Sequence, residues 1–431
     1  MGRRVPRRLA RWLAPDLAFV AASVALFLCL VPFDGYRQLF RDSDAGWHIR
    51  TGEAILSTGT LPRTDPYSFT RGGQPWFAWE WGADVLMGAA HRAGGLRAVA
   101  LLYAAAMAAG VWLWFRLHWL AGGDFLLACV MAAPMLSTCS LHWLARPHVF
   151  SWIFLLGAVF WAERARQGRP PGLWAVALGA ALWANVHASF FFAPLIAAIY
   201  AAGERPKARW FATAGAVAAA ASFLNPYGWG LHLHVFRYLT DSELLARIGE
   251  FQSFNFHASG AGQVLLALGI AAAGGVLALE QRKAAHFLLA AALLAVALRS
   301  ARGLPVAALL LLPLANGAIT AAARKLSFWD YSRGLRAIDA RLGGLALAPL
   351  VLAAFWFLPA RAGFPPEQFP VAAAAAIEKL PADARLLAPD KFGGYLIYRF
   401  AGSRKVFFDG RSDLYGAGFL KDYGRMMQAR P

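Results

Sequence analysis

The sequence predicts a mainly α-helical, polytopic transmembrane bundle with a small α/β module at its C-terminal end. Three observations carry this reading. Hydrophobic residues make up 59% of the 431 positions and charged residues only 15%, where a soluble chain carries about one quarter charged. The mean hydropathy is +0.46. Long apolar runs recur along the chain, and the Lys and Arg residues gather in the short loops between them. The formal net charge of +18 therefore reads as the signature of helix orientation in a bilayer, not of nucleic-acid binding. Cys29, Cys129 and Cys139 lie in or beside apolar runs without pairing or metal spacing, and read as core residues.

The elements follow from apolar length and flanking charge. Arg3, Arg4, Arg7, Arg8 and Arg11 precede a first run at 17–31, and Pro32-Phe33-Asp34 makes a poor cleavage site. That run is expected to be an uncleaved helix with its basic end in the cytoplasm. It delivers an external loop, 34–95, whose segment 83–91 reads as an amphipathic surface piece. Runs at 96–117, 125–141 and 149–161 follow as alternating spans, the middle one ending at Arg146-Pro147-His148.

The run at 173–202 is too long for one upright span, and both its flanks are basic: Arg164, Arg166 and Arg169 before, Arg205, Lys207 and Arg209 after. It must turn back in the middle, at Asn185-Val186-His187-Ala188-Ser189. Non-helical backbone at that depth needs a cover of protein or a watery cavity. Spans at 211–224, 261–279, 285–298, 304–322 and 345–358 complete the set, with an inner-surface helix expected at 327–342. The total is about eleven crossings, N-terminus in and C-terminus out. The chain is thereby expected to be a multi-pass membrane protein.

With that orientation the polar clusters fall on the extracytoplasmic face. They are the loop from Asp42 to Glu80, Arg146 with His148, Asn185 with His187, Asn225-Pro226-Tyr227-Gly228, Glu250, and Arg299 with Arg302. The inner halves of the spans look apolar. Two domains are expected: a transmembrane domain over 1–362 and an external module over 363–431. The module should hold a helix at 371–380, short strands at 385–388 and 405–408, and a helix at 392–399 between them. Its pattern runs into a helix near Met426 and reads as incomplete.

Certain runs are recognisable. The first loop carries Asp42-x-Asp44, then Trp47-His48-Ile49-Arg50-Thr51-Gly52-Glu53, then Asp65-Pro66-Tyr67-Ser68. The module carries Phe408-Asp409-Gly410-Arg411-x-Asp413-Leu414-Tyr415-Gly416. In these the chain resembles a set of bacterial multispanning proteins of the GT-C glycosyltransferase superfamily, near its protein O-mannosyltransferase and aminoarabinose-transferase branch. The resemblance implies an inverting transfer of a sugar from a polyprenyl-phosphate donor to an envelope glycan or protein acceptor. It also implies that an acidic residue of the first external loop is the catalytic base. Asp44 matches that position and Asp42 is second, while Glu53, Asp65 and Glu80 are further acidic candidates in the same loop.

Such a displacement needs a base beside the acceptor hydroxyl and cations on the departing phosphate. Arginine offers paired donors suited to phosphate oxygens. Arg146, Arg299 and Arg302, at outer helix ends, are the candidates, with His148 beside them. His48, Glu80, Asn185, His187 and Glu250 are expected to line the site, and Asp409, Arg411 and Asp413 to meet the acceptor.

Each assignment has a plainer counterpart. Asp42 and Asp44 also suit the cap of a helix starting near Trp47. Arg299 and Arg302 also suit membrane anchors, and Arg146-Pro147-His148 an ordinary helix break. His187 also suits a buried core imidazole, and Asp409 with Arg411 a turn held by an ion pair. His232, His234, Glu250 and His257 match no familiar zinc spacing, so no metal site is assigned. Mg or Mn on Asp42 or Asp44 with a donor phosphate stays open, since oxygen ligands suit both ions. Two other classes fit the composition: a transporter or flippase of lipid-linked sugars, and a non-catalytic membrane assembly protein.

Overall fold

Asp16 accepts the Phe19 amide at 2.8 Å and so caps α1, Leu17–Leu30, the first apolar run. A computed structural model describes residues 11–323 and 328–428. The basic residues Arg3, Arg4, Arg7 and Arg8, used above to orient the chain, lie outside the described residues. After α1 the chain bends by 72° into Pro32–Gln38. It then enters α2, Asp44–Thr58, and after an irregular loop α3, Trp81–Ala121. Helix α3 joins the expected surface piece and the expected span in one element, broken at Gly94 and Gly95.

Next come α4, Phe125–Ser140, and α5, His148–Arg166. The long run divides into α6, Leu173–Val186, and α7, Phe192–Gly203, with His187 extended between them and a short turn at Ala188–Phe191. That break falls where the basic flanks required one. Helices α8, Ala208–Ala221, and α9, Trp229–Thr240, precede α10, Ala261–Glu280, α11, Ala284–Arg299, and α12, Gly303–Ala322. The last four are α13, Phe328–Asp339, α14, Ala348–Trp356, α15, Asp390–Arg399, and α16, Ser412–Met427.

By length and apolarity α3, α10 and α12 are each able to cross a membrane, and α1 with Pro32–Gln38 makes a fourth if taken as one bent span. The other apolar helices, including α4, α6, α11 and Leu345–Trp356, are shorter. The chain is a multi-helix membrane protein. Helix α12 is buried along almost its whole length, with α3, α4, α10 and α11 packed around it. An all-round apolar helix belongs at such a centre.

The helix ends expected to lie inside carry polar networks. Buried Glu163 accepts from Tyr200 Oη at 2.8 Å, lies 2.7 Å from His286 Nε2 and pairs with Arg166 at 2.7 Å. Asn316 joins His118 and the Asp124 backbone in a second network. Both tie neighbouring helices together, which a hydropathy average over a span hides.

No sheet forms among the described residues. The expected strands 385–388 and 405–408 meet in one parallel bridge, Leu386 to Val406, and Val406 makes another to Ser68 of the first loop. Pro389 stops the first segment from extending. The helix expected at 371–380 is reduced to Ala374–Glu378. The C-terminal residues are not set apart from the bundle. Phe364, Tyr395, Ile397 and Val406 belong to the same continuous core as the membrane helices, and α15 packs on α2.

Candidate active site

The site grows from the two ends of α2 and what they touch. Asp42 Oδ1 accepts the Asp44 amide at 2.9 Å, so Asp42 closes the turn that starts the helix. Asp44 is its first residue and His48, one turn later, lies on the same side. On the other wall, the segment between α4 and α5 is tied to the first loop by the Ala145 amide donating to Leu39 O at 2.8 Å. This brings in Arg146. Its Nη1 donates to Asp42 Oδ2 and Glu250 Oε1, both at 2.9 Å, and its Nη2 lies 2.9 Å from Asp44 Oδ2.

Glu250 also accepts from Arg302 Nε at 2.6 Å. Its backbone oxygen accepts the Arg302 amide and Ser300 Oγ, which fixes the outer segment to the start of α12. Arg299 makes no ion pair among the described residues and is exposed beside them.

These groups frame a cavity of about 1120 Å³. Its polar wall includes Asp42, Asp44, Glu80, Arg146, Arg299 and Arg302, and its apolar wall includes Trp152, Leu155, Phe191, Phe192, Val296 and Val306. A chamber half ionic and half greasy takes a ligand with both characters.

A second cluster occupies the wall below Asp44. His48 Nδ1 lies 2.5 Å from Asp84 Oδ1, and its Nε2 lies 3.8 Å from Glu80 Oε2. Glu80 Oε1 in turn lies 3.3 Å from His187 Nε2. The approach is possible because α2 and α3 touch at glycine: a Cβ on Gly52 would overlap the Asp84 carbonyl oxygen.

One guanidinium shared by three carboxylates leaves Asp44 under-compensated. Burial raises its pKa above the ordinary value, against the pull of Arg146, with Asp42 and Glu250 adding to the rise. Burial also pushes Glu80 up to about 8, opposed by Arg146 and Arg302 and reinforced by Asp413 and Asp44. For Glu250 burial acts upward too, but Arg146 and Arg302 outweigh it and hold the group below the usual carboxylate range. Burial, with Arg146 and His187 nearby, holds the His48 imidazole well below its ordinary value.

The other expected residues divide. His148 faces the cavity and its Nε2 donates to His142 O at 2.9 Å. Asn185 stays out of the cavity wall. It accepts from Trp81 Nε1 at 2.9 Å and donates to Ala181 O and Leu224 O, holding the turn between α6 and α7. Asp413 lines the cavity and lies 3.4 Å from His234. Asp409 and Arg411 are buried in a clamp: Arg411 donates to both Asp409 oxygens at 2.8 and 2.7 Å and to Asp65 Oδ1 at 2.7 Å.

Of the remaining loop acids, Glu53 pairs with Arg50 and His91 away from the cavity. His232 stacks on Phe223 and contacts Ser222. Asp84 was not among the sequence candidates. Its signal was its place one helical turn after Glu80.

The carboxylates do not suit a divalent ion as they stand. Asp42, Asp44 and Glu250 are each engaged by Arg146, and no group of three or more His, Cys, Asp or Glu is arranged for a metal among the described residues.

No protein-family model matches the chain, and no curated protein matches it either. Solved structures do. The oligosaccharyltransferase of Archaeoglobus fulgidus, tethered by a disulfide to an acceptor peptide containing the NVT sequon, superposes with a TM-score of 0.57 at 13% identity. The match covers 92% of this chain and 64% of that one. The apo form of the same enzyme gives a TM-score of 0.56 at 13% identity, covering 91% and 64%. The likeness is one of fold. Nearly the whole chain shares the fold of that archaeal protein and spans under two thirds of its length.

Proposed function

We propose that the protein is a GT-C-type membrane glycosyltransferase. It moves a sugar from a polyprenyl-phosphate donor to an envelope glycan or protein acceptor at the extracytoplasmic face of a bacterial inner membrane. The observation that carries this reading is the cavity in which Arg146, Arg302 and unpaired Arg299 meet a carboxylate wall on one side and apolar helices on the other. A polyprenyl phosphate has that polarity: an anionic head on the arginines and an isoprenoid tail along Trp152, Phe191 and Val306. The fold shared with an oligosaccharyltransferase supports the same class.

In this reading the arginines hold the phosphate and stabilise the charge that grows on it as the sugar leaves. By the resemblance, a carboxylate of the first loop, Asp44 or Asp42 by position, takes the proton of the acceptor hydroxyl and directs its oxygen at the anomeric carbon. A single displacement there inverts the configuration. Asp413, from the 363–431 module, faces the cavity and contacts the acceptor, while Asp409 and Arg411 keep that module on the first loop. The reading takes about eleven crossings, N-terminus in and C-terminus out, and so an outward-facing cavity.

Native mass spectrometry of the purified protein tests the donor site without knowledge of the acceptor. Wild type should carry a polyprenyl-phosphate sugar, and Arg299→Ala/Arg302→Ala should lose it. Wild type that retains only ordinary phospholipids, after incubation with a panel of polyprenyl-phosphate sugars, would overturn the reading. Donor binding in which Asp44→Asn leaves sugar movement across the membrane intact would favour a flippase.

A further inference from the structure

We propose that the acceptor's proton is taken by Glu80, backed by His48 and Asp84, and not by Asp44. The inference rests on the glycosyltransferase reading and adds a division of labour between two carboxylates of one cavity.

The surroundings of the two groups decide it. Both Asp44 oxygens are encumbered: Oδ2 is on Arg146, and Oδ1 packs so near Gly410 that a Cβ there would overlap it. A proton arriving there would break an ion pair in a buried site. Glu80 faces the same cavity and has no Lys or Arg within ion-pair distance among the described residues. Its neighbours are two imidazoles, His187 at 3.3 Å and His48 at 3.8 Å.

Behind Glu80 the chain of contacts continues away from the cavity. His48, buried and stacked against Trp47, points Nδ1 at Asp84 at 2.5 Å and leaves Nε2 toward Glu80. Asp84 is fully buried and its Oδ2 has no hydrogen-bond partner. An orphan carboxylate oxygen held beside a histidine is costly unless it has a use. Here it fixes the tautomer and direction of His48, so that the imidazole supports Glu80 in both protonation states. His48 and Asp84 are positioning residues, and Glu80 is the group that meets the acceptor.

The step balances without another reactant. The acceptor O–H bond breaks and its proton goes to Glu80. The oxygen bonds the anomeric carbon, and the carbon–oxygen bond to phosphate breaks with its electron pair leaving on the phosphate. The groups that face Glu80 are His187 before α7, Asp44 and His48 on α2, Asp84 on α3, Arg146 before α5, Arg302 before α12 and Asp413 on α16. Burial, opposed by Arg146 and Arg302 and reinforced by Asp413 and Asp44, pushes it up to about 8. A base must be deprotonated to act, so transfer should rise with pH through that region.

The test compares pH–rate profiles of sugar transfer for wild type, Glu80→Gln, Glu80→Asp, His48→Gln, Asp84→Asn and Asp44→Asn, with donor retention by native mass spectrometry beside each. Glu80→Gln should retain donor, lose at least about 100-fold in rate, as removal of a general base does, and lose the rising limb. Glu80→Asp should recover part of both. His48→Gln and Asp84→Asn should move the limb, whereas Asp44→Asn should lower the rate and keep a limb shifted only slightly to lower pH, since one of the charges that raise Glu80 is removed. A Glu80→Gln enzyme within threefold of wild type, or a limb that moves only in Asp44→Asn, would overturn the proposal while leaving the glycosyltransferase reading intact. Wild type with neither donor nor transfer would overturn both.

Discussion

Gly410 lies against the carboxylate of Asp44, so close that a Cβ at position 410 would overlap Oδ1. The C-terminal residues are therefore part of the wall of the cavity. A glycine is needed because the backbone itself approaches the acid, not because of an unusual φ. Gly410→Ala must push Asp44 off Arg146 or push the 409–413 turn off the helix. Small-to-large changes in packed sites cost about 1–3 kcal/mol, and displacing a reacting group by about 1 Å costs about 100-fold in rate. The expected result is a folded protein with a modestly lower melting temperature and transfer down by about two orders of magnitude.

Arg146 is the charge on which three acids depend. Removing one partner of a buried ion pair costs about 3–5 kcal/mol, because the other is left uncompensated. Arg146→Met should therefore lower thermal stability and abolish donor retention in native mass spectrometry. It should also free Asp42 and Asp44, with Glu250 left on Arg302 alone. Two released carboxylates beside a third make an oxygen-ligand set of the kind Mn takes. Electron paramagnetic resonance should then detect bound Mn in Arg146→Met and none in wild type at equal Mn concentration. Stoichiometric Mn on wild type would show that the ion displaces the guanidinium and would refute this assignment.

The helices were legible in the sequence because apolar length and flanking charge act locally. The fold of the 173–202 run at Asn185–Ser189 followed from Arg164–Arg169 and Arg205–Arg209 alone, and α6 and α7 separate there. The gathering of Arg146, Glu250 and Arg302 beside Asp44 was legible only as shared sidedness. Which acid each arginine contacts depends on helix packing that no local pattern carries. The missed residue, Asp84, reads as an ordinary polar residue in the first turn of a helix. Its role appears only once α2 crosses α3 at Gly52. The expected strands failed for the opposite reason: residues 385–388 and 405–408 have the apolar pattern, but Val406 divides its pairing between Leu386 and Ser68.

The clamp between Arg411, Asp65 and Asp409 predicts a pH dependence. Burial acts to raise Asp65, but the Arg411 guanidinium and the Ser68 hydroxyl outweigh it and hold the group below its ordinary value. A carboxyl whose folded pKa is depressed adds stability that is complete above its unfolded pKa, near about 4, and is lost as pH falls toward the folded value. Thermal unfolding of wild type should therefore steepen its decline below about pH 4. Asp65→Asn should lower the melting temperature at neutral pH and flatten that decline, since the titrating group is gone. An unchanged slope in Asp65→Asn would mean that other carboxylates carry it.

Asn185 supplies the last prediction, since it sits outside the cavity yet governs two residues in it. Its side chain makes three hydrogen bonds, from Trp81 Nε1 and to the Ala181 and Leu224 carbonyls. Trp81 directly follows Glu80, and His187 follows Asn185 by two positions. Asn185 thus fixes both partners of the 3.3 Å contact between Glu80 and His187 from behind. Each hydrogen bond contributes about 0.5–1.5 kcal/mol, so Asn185→Ala should cost about 1–3 kcal/mol after relaxation. Because Arg146, Arg299 and Arg302 are untouched, donor retention should persist. The loss should appear in transfer rate and in a displaced pH limb, as Glu80 is no longer held against His187. Asn185→Asp keeps the acceptor for Trp81 but loses the donors to Ala181 and Leu224. An Asn185→Asp limb nearer to that of wild type would assign the effect to the Trp81 bond. A limb displaced equally in both variants would assign it to the turn between α6 and α7.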